Sequence, residues 1–235
     1  MNLGGFQKMT MLDYPEHIAC TIFTTGCNMR CPFCHNSKLA KESYNTISET
    51  ILFDFLKSRI GLLDAVCISG GEPTLQKDLK LFIQKIKDLG YLVKLDTNGT
   101  NPETMIDLIE SNLIDYVAMD IKNCSEKYNI TCGNNALDFS NIDKSIDYLL
   151  SCKIDYEFRT TVLKEYHTES DMIRIAKRLS GCRKYYLQKF VKSSNIFDDR
   201  CEELSNATLC KYLDIVKTII PNAELRGVDV LDTKV

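Results

Sequence analysis

Short apolar runs alternate with longer amphipathic segments along most of the chain, and this alternation restricts the possible folds more than any other feature. The apolar runs are rich in β-branched residues and end at glycine or at small polar residues, a pattern typical of buried strands. The longer segments repeat apolar residues at helical spacing. Strands separated by helices in this way predict a parallel sheet with right-handed crossover connections. The predicted strands are residues 18–24, 65–69, 92–97, 116–121, 156–162 and 184–190, followed by a short strand at 224–226.

The predicted helices lie between these strands, and the first begins near Ser48. The strand–helix units are too few to close an eightfold barrel, so we expect an α/β fold of the partial (β/α)6 TIM-like barrel type. A doubly wound parallel sheet fits the alternation nearly as well. The 235 residues show neither a low-complexity linker nor an internal repeat, and we expect one domain over residues 1–235. The other predicted helices are a segment that opens at Pro102 and residues 75–89, 141–152, 169–179 and 207–220.

The composition argues against several classes of function. A net charge of −3 gives no sign of the basic surface that binds nucleic acids. No apolar run approaches the roughly 20 residues that span a bilayer. The eleven cysteines are an odd number, no secretory segment opens the chain and 26% of the residues are charged, so a disulfide framework is disfavoured. We therefore expect a protein of the reducing cytoplasm that binds neither nucleic acid nor membrane.

Cys27, Cys31 and Cys34 form a C-x3-C-x2-C motif directly after the first predicted strand. The motif places three thiolates on one short loop, with no fourth cysteine nearby. Three thiolates can hold three irons of a [4Fe–4S] cluster and leave the fourth iron open, which implies chemistry at the metal. A structural zinc with His35 as its fourth ligand, or three plain thiols, are the other interpretations. Zinc ribbons usually carry two well-separated cysteine pairs, and this chain has only one C-x2-C pair.

Glycines and polar residues follow the ends of the predicted strands. In parallel α/β folds the reactive groups collect beyond the carboxyl ends of the strands, so we expect these residues to share one rim. Gly70 and Gly71 would let the backbone approach a ligand closely, and Glu72 could accept a hydrogen bond from an amine. Besides the cysteine loop, the expected rim contains Ser69-Gly70-Gly71-Glu72-Pro73, Asp96-Thr97-Asn98-Gly99, Asp120-Ile121-Lys122, Arg159 and Gln188.

Ordinary structural roles compete with functional ones for several of these residues. The glycine pair could form only a turn, and Asp96 and Asn98 could hydrogen-bond their own backbone. Asp120 and Lys122 are two residues apart on a strand and share a face, where they could form a surface ion pair or hold a zwitterionic amino acid group. Arg159 lies among apolar neighbours, where an uncompensated charge is costly, so the sequence favours contact with a ligand.

The cysteine loop, with Phe33 before its third cysteine, and the Gly70-Gly71-Glu72 turn together resemble the radical S-adenosylmethionine (SAM) superfamily. Further motifs resemble the glycyl-radical-enzyme activating proteins in order and spacing. The opening segment is most similar to the longer, pyruvate formate-lyase activating enzyme-like activators of anaerobic ribonucleoside-triphosphate reductase. The resemblance covers residues 4–190. The further motifs are Gly5-Phe6-Gln7, Leu12-Asp13-Tyr14-Pro15, Cys34-His35-Asn36, Asp96-Thr97-Asn98-Gly99 and Asp120-x-Lys122.

The resemblance implies a radical activity. Cys27, Cys31 and Cys34 would ligate a [4Fe–4S] cluster, and SAM would chelate the open iron through its methionine amine and carboxylate. One electron from a flavodoxin or ferredoxin-type donor would split the C5′–S bond of SAM, and the 5′-deoxyadenosyl radical would take a hydrogen from a substrate carbon. The expected substrate is a glycyl-radical enzyme, with anaerobic ribonucleoside-triphosphate reductase as the first candidate. The alternatives are another glycyl-radical enzyme, a small-molecule substrate, or a non-catalytic iron–sulfur or zinc module.

The resemblance also implies which residues contact SAM. Gly70, Gly71 and Glu72 would engage the amine, and Phe33 would pack near the adenine. In this family the paired aspartates can also bind a monovalent cation beside SAM. Gln188 stands where some activators carry a histidine that reaches SAM. The remaining expected contacts are Asp96, Asp120, Lys122 and Arg159 around the methionyl group, with His35, Thr97 and Asn98 beside them.

The cysteines outside the loop lack tight ligand spacing, and most are expected to be buried or inert thiols. No ferredoxin-like cysteine insert lies between Cys34 and Gly70, so we expect no additional cluster there. Cys124 and Cys132 follow closely on the strand end that carries Asp120 and are the expected exceptions. The others are Cys20, Cys67, Cys152, Cys182, Cys201 and Cys210.

Overall fold

The computed structural model describes residues 1–41 and 46–228, and it contains one eight-stranded sheet flanked by helices. None of the described helices is long and apolar enough to cross a membrane. The strands are β1 (Leu3–Thr10), β2 (Ala19–Thr24), β3 (Ala65–Gly70), β4 (Leu92–Thr97), β5 (Tyr116–Asp120), β6 (Asp155–Val162), β7 (Tyr185–Lys189) and β8 (Ala223–Arg226). The helices are α1 (Glu49–Ser58), α2 (Leu79–Asp88), α3 (Pro102–Glu110), α4 (Ser125–Cys132), α5 (Phe139–Ser151), α6 (Glu169–Arg178) and α7 (Asn206–Lys217), with a short 3-10 turn at Pro73–Leu75.

The sheet follows the order of the chain from β1 to β8. Strands β2 to β8 are parallel, and β1 pairs with β2 in the antiparallel direction. A doubly wound sheet reverses its strand order at a switch point, so the observed order excludes that alternative. Within the described part of the chain β1 and β8 do not pair, and the barrel is open between them. The predicted partial barrel is confirmed.

Two elements near the functional residues, β1 and α4, are not predicted by the sequence patterns. In β1 only the end residues Leu3 and Thr10 are buried, and the pairing with β2 contains two register shifts, so the alternation of a regular strand is missing. Helix α4 has no apolar stripe along one side. It ends at Gly133, whose φ of +65° is the left-handed conformation that favours glycine at a helix end.

The two sides of the parallel sheet differ in chemistry because alternate side chains point in opposite directions. On β4, Val93 and Leu95 are fully buried on the side of the helices, whereas Asp96 lies on the wall of the barrel interior. Burial of each large apolar side chain contributes about 1.5–3 kcal/mol, so the helix side supplies most of the core. Other fully buried core residues of the strands are Ile22, Ile68, Val117, Met119, Phe158 and Leu187.

The segment between β1 and β2 closes the amino end of the barrel. Its Tyr14 is buried against the first residues of three strands, and its Asp13 accepts a 2.5 Å hydrogen bond from Oγ1 of Thr21 on β2. The carboxyl ends of the strands are therefore the accessible end of the barrel. The strand residues that pack with Tyr14 are Ala19, Ala65 and Tyr116.

Candidate active site

A cavity of about 460 Å³ opens at the carboxyl ends of the parallel strands. Its volume is in the range that is usual for small-ligand sites. All site residues predicted from the sequence lie on its wall: Cys27, Cys31, Phe33, Cys34, His35, Gly70, Gly71, Glu72, Asp96, Thr97, Asn98, Asp120, Lys122, Arg159 and Gln188. The wall also contains residues that the sequence patterns do not single out, among them Thr21, Phe23, Met29 and Thr161.

The loop after β2 presents three thiols to this cavity. Cys31 is buried, and Cys27 and Cys34 are half-buried. The amide of Cys34 donates a 3.0 Å hydrogen bond to the carbonyl oxygen of Cys31, which closes a tight turn between the second and third thiols. Burial raises the pKa of Cys31 to about 12 and that of Cys27 to about 11. Metal binding at these residues therefore has to displace the thiol protons.

The carboxyl end of α4 holds the cysteine loop from one side. The amide of Arg30 donates to the carbonyl oxygen of Cys132 at 2.9 Å, and the side-chain amide of Asn134 donates to the carbonyl oxygen of Asn28 at 2.9 Å. A β-carbon on Gly133 would lie 2.2 Å from the carbonyl oxygen of Arg30, so only glycine fits there without displacement. The unpredicted helix therefore shapes the loop that carries the thiols.

The glycine pair after β3 packs against the other side of the cysteine loop. Gly70 has a φ of +113°, and a β-carbon on it would lie 2.3 Å from the amide nitrogen of Thr24. A β-carbon on Gly71 would lie 1.9 Å from the carbonyl oxygen of Gly26. The backbone of this glycine pair thus lies close to the backbone of Thr24 and Gly26. An additional close approach to a ligand stays a prediction.

Glu72 links this glycine turn to the end of β4. Its side chain is fully buried, and Oε1 accepts hydrogen bonds from the amide and hydroxyl of Thr74 at 3.1 and 2.6 Å and from the hydroxyl of Thr97 at 2.8 Å. Oε2 accepts from the amide of Asn98 at 2.7 Å. These donors match the roughly four acceptor positions of a carboxylate. A ligand amine would have to displace one of them, and the expected amine contact of Glu72 stays a prediction.

Four charged residues on or directly after β4, β5 and β6 form one network. Nε of Arg159 donates to Oδ1 of Asp120 at 2.9 Å, and Nζ of Lys122 donates to Oδ2 of Asp120 at 2.9 Å. Nη1 of Arg159 also donates to Oδ2 of Asp96 at 3.4 Å. The charge of Arg159 is therefore compensated within the chain, because the register of β5 and β6 places Asp120 beside it, and its expected contact with a ligand stays a prediction.

The network keeps its members ionised. Burial by itself would raise the pKa of Asp120, but the charges of Arg159 and Lys122 hold that pKa well below its usual range. Burial opposes the charge of Asp96 in the same way, and Arg159 and Lys94 lower its pKa. Replacing one member would leave an uncompensated charge in the barrel, which is more costly than the loss of a surface ion pair.

Three charged residues deeper in the barrel are not singled out by the sequence patterns. Lys94 is 1% exposed, and its ammonium contacts Oδ1 of Asp96. Glu157 is also 1% exposed and accepts hydrogen bonds from Nη1 and Nη2 of Arg226 at 2.9 and 3.1 Å. Lys94 precedes Asp96, and Glu157 precedes Arg159, by two residues on the same strand. This spacing, which puts both members of each pair on one face, is the signal that could have revealed them.

Phe33 and His35 flank the third cysteine and face an aromatic cluster. Phe33 is buried, with its ring centroid 6.1 Å from that of Tyr166. His35 is exposed, stacks on Phe190 at 5.4 Å, and has its Nε2 2.7 Å from the carbonyl oxygen of Val191. Nε2 of His35 is therefore engaged by the backbone, and a zinc site with His35 as its fourth ligand would have to use Nδ1.

The remaining cysteines lie away from the cavity wall, and all eleven cysteines are free thiols. Sγ of Cys124 lies 3.5 Å from Oδ1 of Asp171. Cys132 is fully buried and contributes its backbone carbonyl to the cysteine loop. Burial raises the pKa of both thiols. The two expected exceptions are therefore buried thiols outside the cavity wall.

Comparisons with known proteins agree with this arrangement. The sequence profile described as the Radical SAM superfamily matches residues 21–179. A Methanocaldococcus jannaschii protein named as a glycyl-radical enzyme activating enzyme is 36% identical to this chain. The alignment is 237 positions long and covers 97% of this chain and 96% of that protein. The chain belongs to the glycyl-radical activating enzymes of the radical SAM superfamily. Members of this family are enzymes, and the chain is therefore assigned to this class of enzymes.

Solved structures show that this radical SAM enzyme shares its fold with other members of the superfamily. A domain of pyruvate-formate lyase-activating enzyme from Bacteroides vulgatus has a TM-score of 0.55 and 17% identity, covering 70% of this chain and 99% of that one. Streptococcus suis SuiB bound to S-adenosylmethionine has a TM-score of 0.69 and 15% identity, covering 86% of this chain and 48% of that one. At these identities the likeness concerns the fold alone.

Membership of the radical SAM superfamily implies SAM and a [4Fe–4S] cluster, and the residues present fit both groups. Three thiols from one loop face the cavity, and among the described residues no fourth cysteine lies on its wall. A cluster held there would keep one iron open. The adjacent network supplies charged groups of both signs, which suits the amine and carboxylate of an amino acid group.

Proposed function

We propose that this radical SAM enzyme installs a glycyl radical on a partner enzyme, and that the partner is an anaerobic ribonucleoside-triphosphate reductase. The observation that carries the proposal is the cavity in which three thiols of one loop meet the charged network at the open end of an unclosed barrel. The choice of partner rests on the opening segment, which forms β1 and the closure of the barrel's amino end. We further propose that the enzyme works in the cytoplasm and that residues 1–235 form one domain.

The reduced cluster and SAM, when bound, supply a 5′-deoxyadenosyl radical that abstracts hydrogen. Cys27, Cys31 and Cys34 would hold three irons of the cluster. The chain's own task is to fix these thiols and to exclude water from the reacting atoms. The buried side chains of Met29 and Phe33, which line the cavity beside the thiols, serve that exclusion.

The charged network would bind the methionyl group of SAM. Lys122 carries three N–H donors, of which Asp120 accepts one, so the ammonium retains donors for a ligand carboxylate. Arg159 is oriented by both aspartates and also lines the cavity. Gln188 pairs with Thr161 across β6 and β7, and both side chains reach the cavity wall. We assign Gln188 to the edge of the SAM site.

A protein substrate suits the way the cavity is covered. The segment after β7 binds the cysteine loop, because the amides of Phe197 and Asp198 both donate to the carbonyl oxygen of Pro32, at 3.0 and 2.9 Å. These two hydrogen bonds hold the segment after β7 against the cysteine loop. A glycine-bearing loop of the partner would supply the remaining cover while its substrate carbon reaches the radical.

A flavodoxin or ferredoxin-type protein is the proposed electron donor. Exposed cations lie on and directly after the cysteine loop, at Arg30, Lys38 and Lys41. They would attract a donor with an acidic surface to the part of the molecule nearest the cluster, and such steering weakens as salt increases.

Partner-dependent cleavage of SAM tests the proposal. The reconstituted enzyme is incubated anaerobically with SAM and a reductant, and 5′-deoxyadenosine is measured by chromatography. We expect slow cleavage by the enzyme alone and at least about tenfold faster cleavage with the cognate reductase, which corresponds to about 1.4 kcal/mol in the barrier. A response only to a different glycyl-radical enzyme would overturn the choice of partner. A response only to a small metabolite would overturn the activase assignment.

A further inference from the structure

Each carboxylate oxygen of the two aspartates in the charged network contacts a cationic side chain of the protein itself. In Asp96, Oδ1 contacts the ammonium of Lys94, and Oδ2 accepts from Nη1 of Arg159 at 3.4 Å. In Asp120, Oδ1 accepts from Nε of Arg159 and Oδ2 from Nζ of Lys122, both at 2.9 Å. Hard metal cations in proteins are bound through oxygen ligands. The oxygens that the family resemblance would offer to a monovalent cation are thus already engaged.

The balance of charge also opposes an additional cation. Within the network, Lys94, Lys122 and Arg159 contribute three positive charges, and Asp96 and Asp120 contribute two negative ones. The other carboxylates of the cavity wall, Asp13 and Glu72, accept from hydroxyl and amide donors and form no ion pair with the network among the described residues. The deeper carboxylate of the barrel, Glu157, pairs with Arg226 on β8 at 2.9 Å and with Arg159 at 4.0 Å, and counting Glu157 and Arg226 as well leaves the excess of one positive charge unchanged. Charges interact strongly in a buried site, where the effective dielectric constant is low. The residues present therefore do not fit a bound monovalent cation.

Lys94 is the residue that completes this arrangement, and its position is fixed. Its side chain is 2% exposed, and its Nζ lies 3.8 Å from Sγ of Cys67 and 6.0 Å from the ring centroid of Tyr116. It is absent from the cavity wall, so it contacts Asp96 from inside the barrel. The ammonium is covalently part of the chain and buried against Asp96, so ions from the solvent cannot take its place.

We propose that the Lys94 ammonium is a built-in counter-ion for Asp96 and makes SAM binding by this enzyme independent of any monovalent cation. Lys94 acts through Asp96 and is a positioning residue. The inference takes one point from the proposed function, namely that the cavity binds SAM. It does not depend on the identity of the partner.

The test measures SAM binding to the reconstituted enzyme without a partner. The dissociation constant is obtained anaerobically from the SAM-induced change in the electron paramagnetic resonance spectrum of the reduced cluster. Buffers of equal ionic strength contain sodium, potassium or tetramethylammonium as the sole monovalent cation. We expect the dissociation constant of the natural enzyme to change less than about twofold among the three buffers, equivalent to about 0.4 kcal/mol. At least tenfold weaker binding in tetramethylammonium would overturn the proposal, and this result needs no variant.

The substitution Lys94→Met keeps most of the side-chain volume and removes the ammonium. We expect its SAM binding to weaken at least about tenfold in tetramethylammonium and to recover in sodium or potassium, because one oxygen of Asp96 becomes free. Lys80→Met is the matched control, since Lys80 pairs with Asp107 on the exposed surface and should change nothing. Lys94→Arg keeps the charge and should remain insensitive to the cation.

Each other outcome for Lys94→Met counts against the proposal. Unchanged binding in all three buffers would show that Asp96 needs no counter-ion. Weakened binding that no cation restores would give Lys94 a purely structural role. If Lys94→Met does not fold, the buffer series on the natural enzyme and on Lys94→Arg decides the question. Loss of glycyl-radical formation with intact, cation-independent SAM binding would contradict the proposed function and leave this inference standing.

Discussion

The carbonyl oxygen of Gly26 would lie 1.9 Å from a β-carbon on Gly71, so the glycine turn after β3 and the cysteine loop after β2 are in direct backbone contact. The amide of Glu72 donates to the same carbonyl oxygen at 2.8 Å. From the sequence alone, a branched residue at Gly71 would be expected to block SAM and leave the cluster assembled. The contact with Gly26 changes that expectation, because the turn also shapes the loop that holds the thiols.

We expect Gly71→Ala to impair cluster assembly. The added methyl group has to displace backbone, which cannot yield as a flexible side chain can. Iron per chain after anaerobic reconstitution should fall to well under half of the about four irons that a [4Fe–4S] cluster contains. Gly90→Ala is the control, since a β-carbon there meets no atom within 4 Å and only its φ of +89° is strained. Full iron content in Gly71→Ala would show that the turn is free to move away from the loop.

Loss of any one loop thiol should abolish the cluster. We expect Cys27→Ala, Cys31→Ala and Cys34→Ala each to retain less than about a tenth of the iron and of the SAM cleavage, because two thiolates cannot hold the cluster firmly. Cys152→Ala is the matched control, since this half-buried thiol lies off the cavity wall. Iron content and absorption of the cluster are the readouts. Survival of both in Cys31→Ala would rule out the three-thiolate site.

Removing Arg159 should destabilise the protein as well as weaken SAM binding. Arg159→Leu leaves Asp120 and Asp96 without their shared cation, and breaking a buried pair in this way typically costs about 3–5 kcal/mol. For a chain of this size the thermal midpoint should fall by roughly 10 °C. Arg178→Leu is the control, because its partners Asp143 and Asp147 are exposed and such pairs contribute about 1 kcal/mol or less. Equal midpoint shifts in the two variants would contradict the buried network.

His167 should make stability depend on pH below neutrality. Its ring is 2% exposed, Nδ1 accepts from the amide of Leu163 at 3.1 Å, and Nε2 lies 2.9 Å from the carbonyl oxygen of Lys122. Burial lowers its pKa to about 4, so the folded state keeps it neutral while the unfolded chain binds a proton near its usual pKa of about 6.5. Stability contributed by the neutral ring is therefore present above pH about 6.5 and is lost as the pH falls toward 4.

The expected loss between pH 7 and 5.5 is about 1 kcal/mol, seen as a lower thermal midpoint of the anaerobic protein. His167→Gln should remove most of this slope, because glutamine does not titrate. His17→Gln should retain it. An unchanged slope in His167→Gln would mean that other groups cause the pH dependence.

Elements with one buried side are predicted well from the sequence, and the others are not. The strand predicted at residues 92–97 has the observed bounds, because its apolar residues pack against the helices and its end coincides with the polar Asn98-Gly99 turn. Strand β1 lacks such a side, since most of its residues between Leu3 and Thr10 are partly or fully exposed. The pairing with β2 that stabilises it is a tertiary contact, which no local pattern contains.

The members of the site are predicted by their position at strand ends, but their contacts are not. Lys94 and Glu157 each lie two residues before a predicted site residue on the same strand, which indicates a shared face, but the contact of Glu157 with Arg226 on β8 depends on how the strands pack. The burial of Glu72 under four donors likewise depends on how two turns from neighbouring strands meet. The rim is thus predictable from the strand ends, whereas the contacts of the charges beneath it depend on the tertiary fold.

The most direct test of the central claim is the electron paramagnetic resonance spectrum of the partner after activation. The reconstituted enzyme, SAM, a reductant and the anaerobic ribonucleoside-triphosphate reductase are incubated without oxygen. We predict a glycine-centred doublet that requires SAM and the three loop cysteines and disappears when the radical glycine of the partner is replaced by alanine. If no glycyl-radical enzyme yields the doublet while a small metabolite drives stoichiometric formation of 5′-deoxyadenosine, the account is contradicted.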